Sequence, residues 1–331
     1  MNIKHEFLII GAVLISVITV LPAAIVVPFS NASTETVDMN ETVEVDLETS
    51  DQPVVQVMRS ATEKVEEVPL EEYVVSVVAS EVPASFEMEA IKAQALAART
   101  YVAQILKKGG AAKNYDVTDT VQHQVYKSLE ELRKAWGVDY SWKINKITKA
   151  VKETKGQIIT YSGDPITAQF FSTSNGYTEN AEDYWQNEVP YLKMVNSPWD
   201  KKSPEYLEQQ ILPRSEVVQK LGLDSSVIEV TNTVRTESQR IKKMTINGKN
   251  FTGREIRETL GLRSNDFTIE AKGDHIIFTT RGYGHGVGMS QYGANGMAQQ
   301  GKTYREIVKH YYQGVDISTI QDVVGSLSAM N

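Results

Sequence analysis

Arg281-Gly282-Tyr283-Gly284-His285-Gly286-Val287-Gly288-Met289-Ser290-Gln291-Tyr292-Gly293 places glycine at every second position from Gly282 to Gly288. In an extended backbone alternate residues point to opposite faces, so this period predicts a strand with one bare face and Tyr283, His285, Val287 and Met289 on the other. A strand so rich in glycine forms poorly by propensity alone. Close approach of a ligand or of another backbone is the usual offset. Polar groups on His285, Ser290, Gln291 and Tyr292 favour the ligand. The G-x-G-x-G-x-G spacing lies outside any strand-loop-helix frame, so it is not a dinucleotide fingerprint. Gly288-Met-Ser290-Gln-Tyr-Gly293 is one residue too long for a nucleophile elbow.

Outward from this stretch, helices and strands mix without alternation. Pro53–Arg59 reads as a first strand. Pro69-Leu-Glu-Glu-Tyr73 opens a helix, with proline and acids in its first turn, and Pro83 stops it after Glu81. A longer, alanine-rich helix covers roughly Phe86 to Lys107. Strands are expected at 156–161, 166–172, 227–234, 242–246 and 275–281, and helices at 129–136, 254–260 and 304–312. The order implies an α+β fold, a single mixed domain over 53–318 with a short C-terminal tail, 319–331.

Phe7 to Val27 carries no charge and is long enough to span a bilayer. Lys4 lies before it and acidic residues follow, so residues 1–6 form a cytoplasmic tail and the rest of the chain lies outside the cell membrane. A cleaved signal peptide, cut near Pro22-Ala23-Ala24, is the competing reading. The apolar run exceeds a typical signal core, which favours an uncleaved anchor. Residues 28–52 form a linker, and Ser30–Gln52 holds seven acidic and no basic residues. Of the net charge of −8, −7 sits there. The nearly neutral remainder argues against nucleic-acid binding. The chain has no cysteine, which excludes disulfides and thiolate metal sites.

Glu81 ends an apolar helix. Helix-end carbonyls and apolar neighbours would both favour its neutral acid and raise its pKa, as a general acid needs. On its residues alone it reads equally well as a solvated helix-end glutamate. Arg99, among alanines, could hold substrate or an acid of the site, although an ordinary helix salt bridge explains it better. Asp119-Thr-Val-Gln122-His123-Gln124-Val-Tyr126 reads as a polar loop. His123 has no second ligand at metal spacing. Phe170-Phe171-Ser172-Thr173-Ser174-Asn175-Gly176 runs from strand into turn. Thr178–Trp185 and Tyr191-Leu-Lys193 follow. Their hydroxyls, amides, carboxylates and rings suit a carbohydrate, while core packing is the commoner role for Tyr184 and Trp185.

Taken together, Pro69-Leu-Glu-Glu-Tyr-Val, Ser80-Glu81-Val-Pro83, Glu89–Tyr101, Asp119–Tyr126, Ser172-Thr-Ser-Asn-Gly176, Glu179–Asp183 and Gly284–Gly293 resemble the stage II sporulation protein D family, which includes amidase enhancers. The resemblance spans about 53–318. It implies a lytic transglycosylase that cleaves peptidoglycan glycan strands during engulfment at the sporulation septum, with the catalytic glutamate at Glu81. It further implies glycan stripped of stem peptides by the amidase stage II sporulation protein P, and the membrane protein stage II sporulation protein M as scaffold. Candidates for holding the sugars are Arg99, Ser172, Thr173, Asn175, Lys193, His285, Ser290 and Gln291, with Tyr126 and Tyr191. Some members of the family hold zinc with a histidine and cysteines near 119–126. Without cysteine no metal or cofactor is expected here. Two other readings stand beside it: a binding module that stimulates an amidase, and a hydrolase pairing Glu81 with Glu182 or Asp183.

Overall fold

The computed structural model describes residues 52–321, all within one compact unit. The expected anchor, most of the linker and the end of the tail lie outside the described residues. Among the described residues no helix is long and apolar enough to cross a membrane.

A hairpin of β1 (Val54–Arg59) and β2 (Lys64–Pro69) leads into α1 (Leu70–Glu81). Val74, Val75, Val77 and Val78 of α1 are all fully buried. A helix buried on most sides belongs at the centre, and that burial overrides the weak helix propensity of β-branched residues. α2 (Met88–Lys107) packs against it. Ala93, Ala95, Ala97 and Ala98 are fully buried, and their small side chains let neighbours approach closely. β3 (Val117–Thr118) pairs parallel with β1. α3 (Leu129–Trp136) starts on a capping box of Ser128 and Glu131, and α4 (Tyr140–Glu153) packs on both α1 and α2.

β4 (Gln157–Tyr161) then pairs with β5 (Asp164–Pro165), and β6 (Phe170–Phe171) and α5 (Ala181–Trp185) follow. The strand expected over 166–172 shrinks to β6, because the partner it meets is only two residues long.

A second lobe follows, built from β7 (Leu207–Pro213), α6 (Arg214–Leu221), β8 (Val230–Arg235), β9 (Ile241–Ile246), β10 (Lys249–Phe251), α7 (Gly253–Leu260), β11 (Phe267–Lys272) and β12 (His275–Arg281). Its two sheets run β10-β9-β8 and β11-β12-β7. They enclose their own core, which includes Val217, Ile241, Ile256, Phe267 and Phe278. The chain then returns through β13 (Met289–Ser290), parallel to β6, to α8 (Gln291–Gln299), α9 (Tyr304–Tyr311) and β14 (Asp316–Thr319). β14 pairs with β4, and the Ile320 N–H donates to Gly156 O at 2.8 Å. The fold therefore continues past 318. Mixed helix and strand content without alternation fits the α+β expectation.

The glycine run corrects one expectation. It is not a strand with a bare face. Gly282, Gly284, Gly286 and Gly288 all take positive φ, between 80° and 117°. What approaches them is protein. A Cβ on Gly282 would lie 2.7 Å from Thr173 O, on Gly284 2.7 Å from Phe171 Cβ, and on Gly288 2.1 Å from Gln169 O. On Gly286 it would meet the Arg240 guanidinium at 2.6 Å. The alternating glycines let this segment lie directly on residues 169–175 and on the second lobe.

Candidate active site

α1 delivers Glu81 to a cleft of about 600 Å³. Val82 is extended, and Pro83 cannot continue the helix, so the acid sits on its last residue. Val125 N–H donates to Oε1 at 3.3 Å and Gln291 Nε2 to Oε2 at 3.4 Å. Both bonds are long, so they stabilise the anion weakly. Burial outweighs them and pushes the Glu81 carboxyl above its ordinary value. Ionisation is thus disfavoured in the cleft, as general acid chemistry requires.

Tyr101 of α2 and Gln122–Val125 form the wall beside Glu81. Thr118 N–H donates to His123 Nδ1 at 3.2 Å, and burial depresses the imidazole pKa. The ring is then neutral with its proton on Nε2. Gln169, Phe170, Tyr184, Trp185, Arg254 and His285 also line it. Val287 N–H donates to His285 Nδ1 at 3.1 Å, and the ring also bonds the Phe170 backbone. Part of His285 is open to the cleft, yet its surroundings are dense and Arg257 adds positive charge. Burial first and that charge second hold its pKa far below the usual histidine range. It presents an uncharged ring, 5.5 Å from that of Trp185, with Tyr184 edge-on to Trp185. Among the described lining residues Glu81 is the only carboxylate.

Of the residues expected at the site, Glu81, His285 and Gln291 come together. Arg99 does not reach the cleft. It is fully buried, and its guanidinium forms a two-bond pair with Glu71, at 2.9 and 2.6 Å. The helix salt bridge is the reading that the structure supports. Tyr126 stacks on Tyr73 at 5.6 Å and donates to Glu66. Tyr191 Oη accepts from Thr167 N–H, and Lys193 bridges Glu182 and Glu188, both at 2.8 Å.

Ser172, Thr173, Asn175 and Ser290 belong to interior polar networks rather than to the cleft. Ser290 caps α8 and donates to Asp200 Oδ1, which also accepts from Ser174 N–H. Ser172 O accepts from Tyr292 N–H, and Ser172 Oγ meets Thr173 Oγ1. Thr173 Oγ1 meets Ser203 Oγ in turn. Asn175 donates to Ser238 O and Asp266 across to the second lobe. Glu179 accepts from Thr236 and Ser238, and its charge faces that of the fully buried Arg240. Of the residues read as sugar contacts, Asn175 thus joins the lobes, while Ser172, Thr173 and Ser290 bond within the first lobe. Tyr101 and Arg254 line the cleft without having been singled out. Tyr101 lies among Thr100, Gln104 and Lys107 on the helix end, where nothing set it apart, and Arg254 carried no distinguishing signal.

A family model described as "Stage II sporulation protein" matches residues 58–161. Stage II sporulation protein D of Bacillus subtilis (strain 168) is 49% identical over 328 residues, covering 95% of this chain and 96% of that protein. The protein of the same name from Bacillus amyloliquefaciens is 54% identical over 269 residues, covering 80% and 78%. This chain belongs to the stage II sporulation protein D family.

Within the stage II sporulation protein D family, a more distant relative is named amidase enhancer, also from Bacillus subtilis (strain 168). It is 31% identical over 299 residues, which cover 73% of this chain but only 40% of that protein. The family model takes in Glu81, Tyr101 and Gln122–Val125, the acid-bearing half of the cleft. The aromatic wall, Phe170 to His285, lies beyond it.

Proposed function

We propose that this protein is a membrane-anchored lytic transglycosylase that cleaves the bond from N-acetylmuramic acid to N-acetylglucosamine in peptide-stripped peptidoglycan. The observation that carries the reading is the lone Glu81 carboxyl, its pKa raised by burial, in a cleft that aromatic rings also line. Glu81 donates its proton to the glycosidic oxygen as that bond breaks and positive charge develops at C1. The resulting carboxylate takes the proton of the muramoyl C6 hydroxyl, whose oxygen closes on C1. The product is a 1,6-anhydro end, and Glu81 is protonated again.

A hydrolase would need a second carboxylate to activate water or to act as nucleophile. Glu182 and Asp183 do not serve. Neither lines the cleft, and each already pairs with a lysine, Lys193 and Lys242 respectively. An internal nucleophile removes the requirement. Trp185 and the neutral His285 offer flat faces for the C–H surfaces of sugars, while Gln122, Gln169 and His123 supply polar atoms.

Sporulation as the setting is supported by the family, and the cell wall as target by the relative named amidase enhancer. The apolar run 7–27 supports an anchor in the cell membrane with the catalytic domain outside. Stage II sporulation proteins P and M remain the proposed amidase and scaffold partners. The enhancer's name also supports a second reading, a wall-binding protein that stimulates an amidase without cleaving glycan. Mass spectrometry of peptide-free glycan after incubation with the protein separates the readings. Anhydro ends support the transglycosylase, reducing ends a hydrolase, and intact strands the enhancer.

A further inference from the structure

Arg254 is the only cation among the described residues that line the cleft. The two histidines there, His123 and His285, are kept uncharged by burial. The Arg254 guanidinium lies 5.0 Å over the ring of Tyr184, and Glu258, four residues on, accepts from its Nε at 2.8 Å. Its two Nη groups have no hydrogen-bond partner among the described residues, and the side chain is 45% exposed. One ion pair and one ring therefore orient the guanidinium and leave its outer donors open.

The charge around it is uneven. A second cavity, about 590 Å³, adjoins the cleft and shares Tyr184, Trp185 and Arg254 with it. Glu182, Asp183, Glu255 and Glu258 line that cavity, with Lys242 and Arg254 as its cations, and none of the four acids lines the cleft. Toward the cleft the sign reverses. Arg257, Arg240 and Arg254 all bear on His285 and disfavour its protonation. An anion at Arg254 is thus repelled from the cavity and accepted on the cleft side.

A glycan strand offers an anion here in one state only. The lactyl group on C3 of N-acetylmuramic acid ends in an amide while the stem peptide is attached. Hydrolysis of that amide leaves a carboxylate on the strand, and the amine departs with the peptide. The carboxylate hangs from the same ring whose C1 bond is cleaved, so a cleft that holds that ring also receives it.

We infer that Arg254 reads the lactyl carboxylate of peptide-free muramic acid through its open Nη groups, and so makes the cleft selective for strands that an amidase has already processed. The inference rests on the glycan-cleaving reading above and deepens it. A planar guanidinium matches a carboxylate with two parallel bonds, whereas an amide offers one neutral acceptor. The order of the two reactions then follows from one charge on the strand and requires no contact between the enzymes.

The test uses full-length Glu81→Gln protein, which binds without turnover, and calorimetric titration with two peptide-free glycan fragments of equal length. One keeps its lactyl carboxylates, and in the other each is capped as a methylamide. The free acid should bind about tenfold tighter at low salt, the worth of roughly one charge-assisted hydrogen bond. Raising the salt should shrink that advantage. Adding Arg254→Gln should bring the two fragments to equal affinity. Arg254→Lys, which keeps the charge but not the fork, should restore part of the preference. Equal affinity in the Glu81→Gln protein, a preference that survives Arg254→Gln, or loss of both fragments together in that variant overturns the role of Arg254 and leaves the glycan reading standing. If neither fragment binds the Glu81→Gln protein, the glycan reading falls, and this inference with it.

Discussion

Gly288→Ala should destabilise the protein by roughly 2–5 kcal/mol, the sum of a left-handed backbone cost of about 1–2 kcal/mol and an overpacking cost of about 1–3 kcal/mol. The first part follows from φ, which is 81° at Gly288. The second follows from the neighbour. The new Cβ would lie 2.1 Å from Gln169 O, a backbone atom with nowhere to swing. That oxygen accepts from Met289 N–H at 3.0 Å and from the Tyr312 hydroxyl at 2.7 Å. Relief must therefore open the β6–β13 pair and shift Gln169 and Phe170, which line the cleft. Gly261→Ala isolates the backbone part, since Gly261 has φ 69° and open space where its Cβ would stand. At roughly 2–4 °C per kcal/mol for a domain of this size, the Gly288 variant should melt roughly 5–15 °C lower, and the Gly261 variant only a few degrees lower. Calorimetric melting of both in one buffer gives the comparison. Equal losses at the two sites would refute the packing argument. An unchanged melting temperature with lost glycan binding would instead restore the idea that the glycines face substrate.

Further outcomes are expected. Glu81→Gln should cut glycan turnover by about 10²-fold or more, the scale of general acid catalysis, and product counts by mass spectrometry measure it. The same variant should melt higher than the parent near pH 7 and converge with it in acid. Burial raises the Glu81 pKa, so the cost of ionising it is absent below the unfolded value and fully present above the folded one. A melting difference that grows toward acid would contradict that sign. Arg99→Met should cost about 3–5 kcal/mol by leaving Glu71 buried and unpaired, read from denaturant midpoints, and a neutral result would mean the pair is solvated. A truncated protein beginning at Pro53 should cleave purified glycan as well as the full chain but fail in engulfment. An unrelated transmembrane helix in place of 7–27 should restore the function, unless that segment itself recognises a partner.

Strong local signals were legible in the sequence. α1 ends at Glu81, as proline punctuation dictates, and α3 and α9 begin at capping residues ahead of amphipathic runs. α8 was not legible, because Gly293 and Gly296 lower its helix propensity. Their reason is tertiary: a Cβ at Gly296 would lie 2.4 Å from Trp199 Cβ, and one at Gly293 2.1 Å from Tyr311 Oη. β7 was also hidden, since Leu207-Glu-Gln-Gln-Ile-Leu-Pro213 lacks β-branched enrichment and gains its register from β12. At the site, the helix end located Glu81 but left it equally readable as a solvated glutamate, and the resemblance alone chose it as the acid. Asn175 and Ser290 could not be told from ligand contacts. A hydroxyl or amide in an interior polar network has the same composition as one that holds a sugar, and only burial separates them. Arg240, fully buried between Glu179 and the glycine run, gave no sequence sign at all.

The second lobe leaves the first after Tyr206 and rejoins it at Gly282, and Gly282 N–H donates to Tyr206 O at 2.7 Å. The two ends are clasped. With its own core, the intervening stretch can collapse locally before the flanking segments meet, so the loop that the first lobe must close is shortened to a hinge. The same clasp does not make the insertion independent. Ser238 and Asp266 hold Asn175, Arg240 holds the Tyr177 carbonyl and lies on Gly286, and Arg254 lines the cleft. A change within 207–281 that moves any of them is therefore felt in the first lobe, so the two modules must drift together.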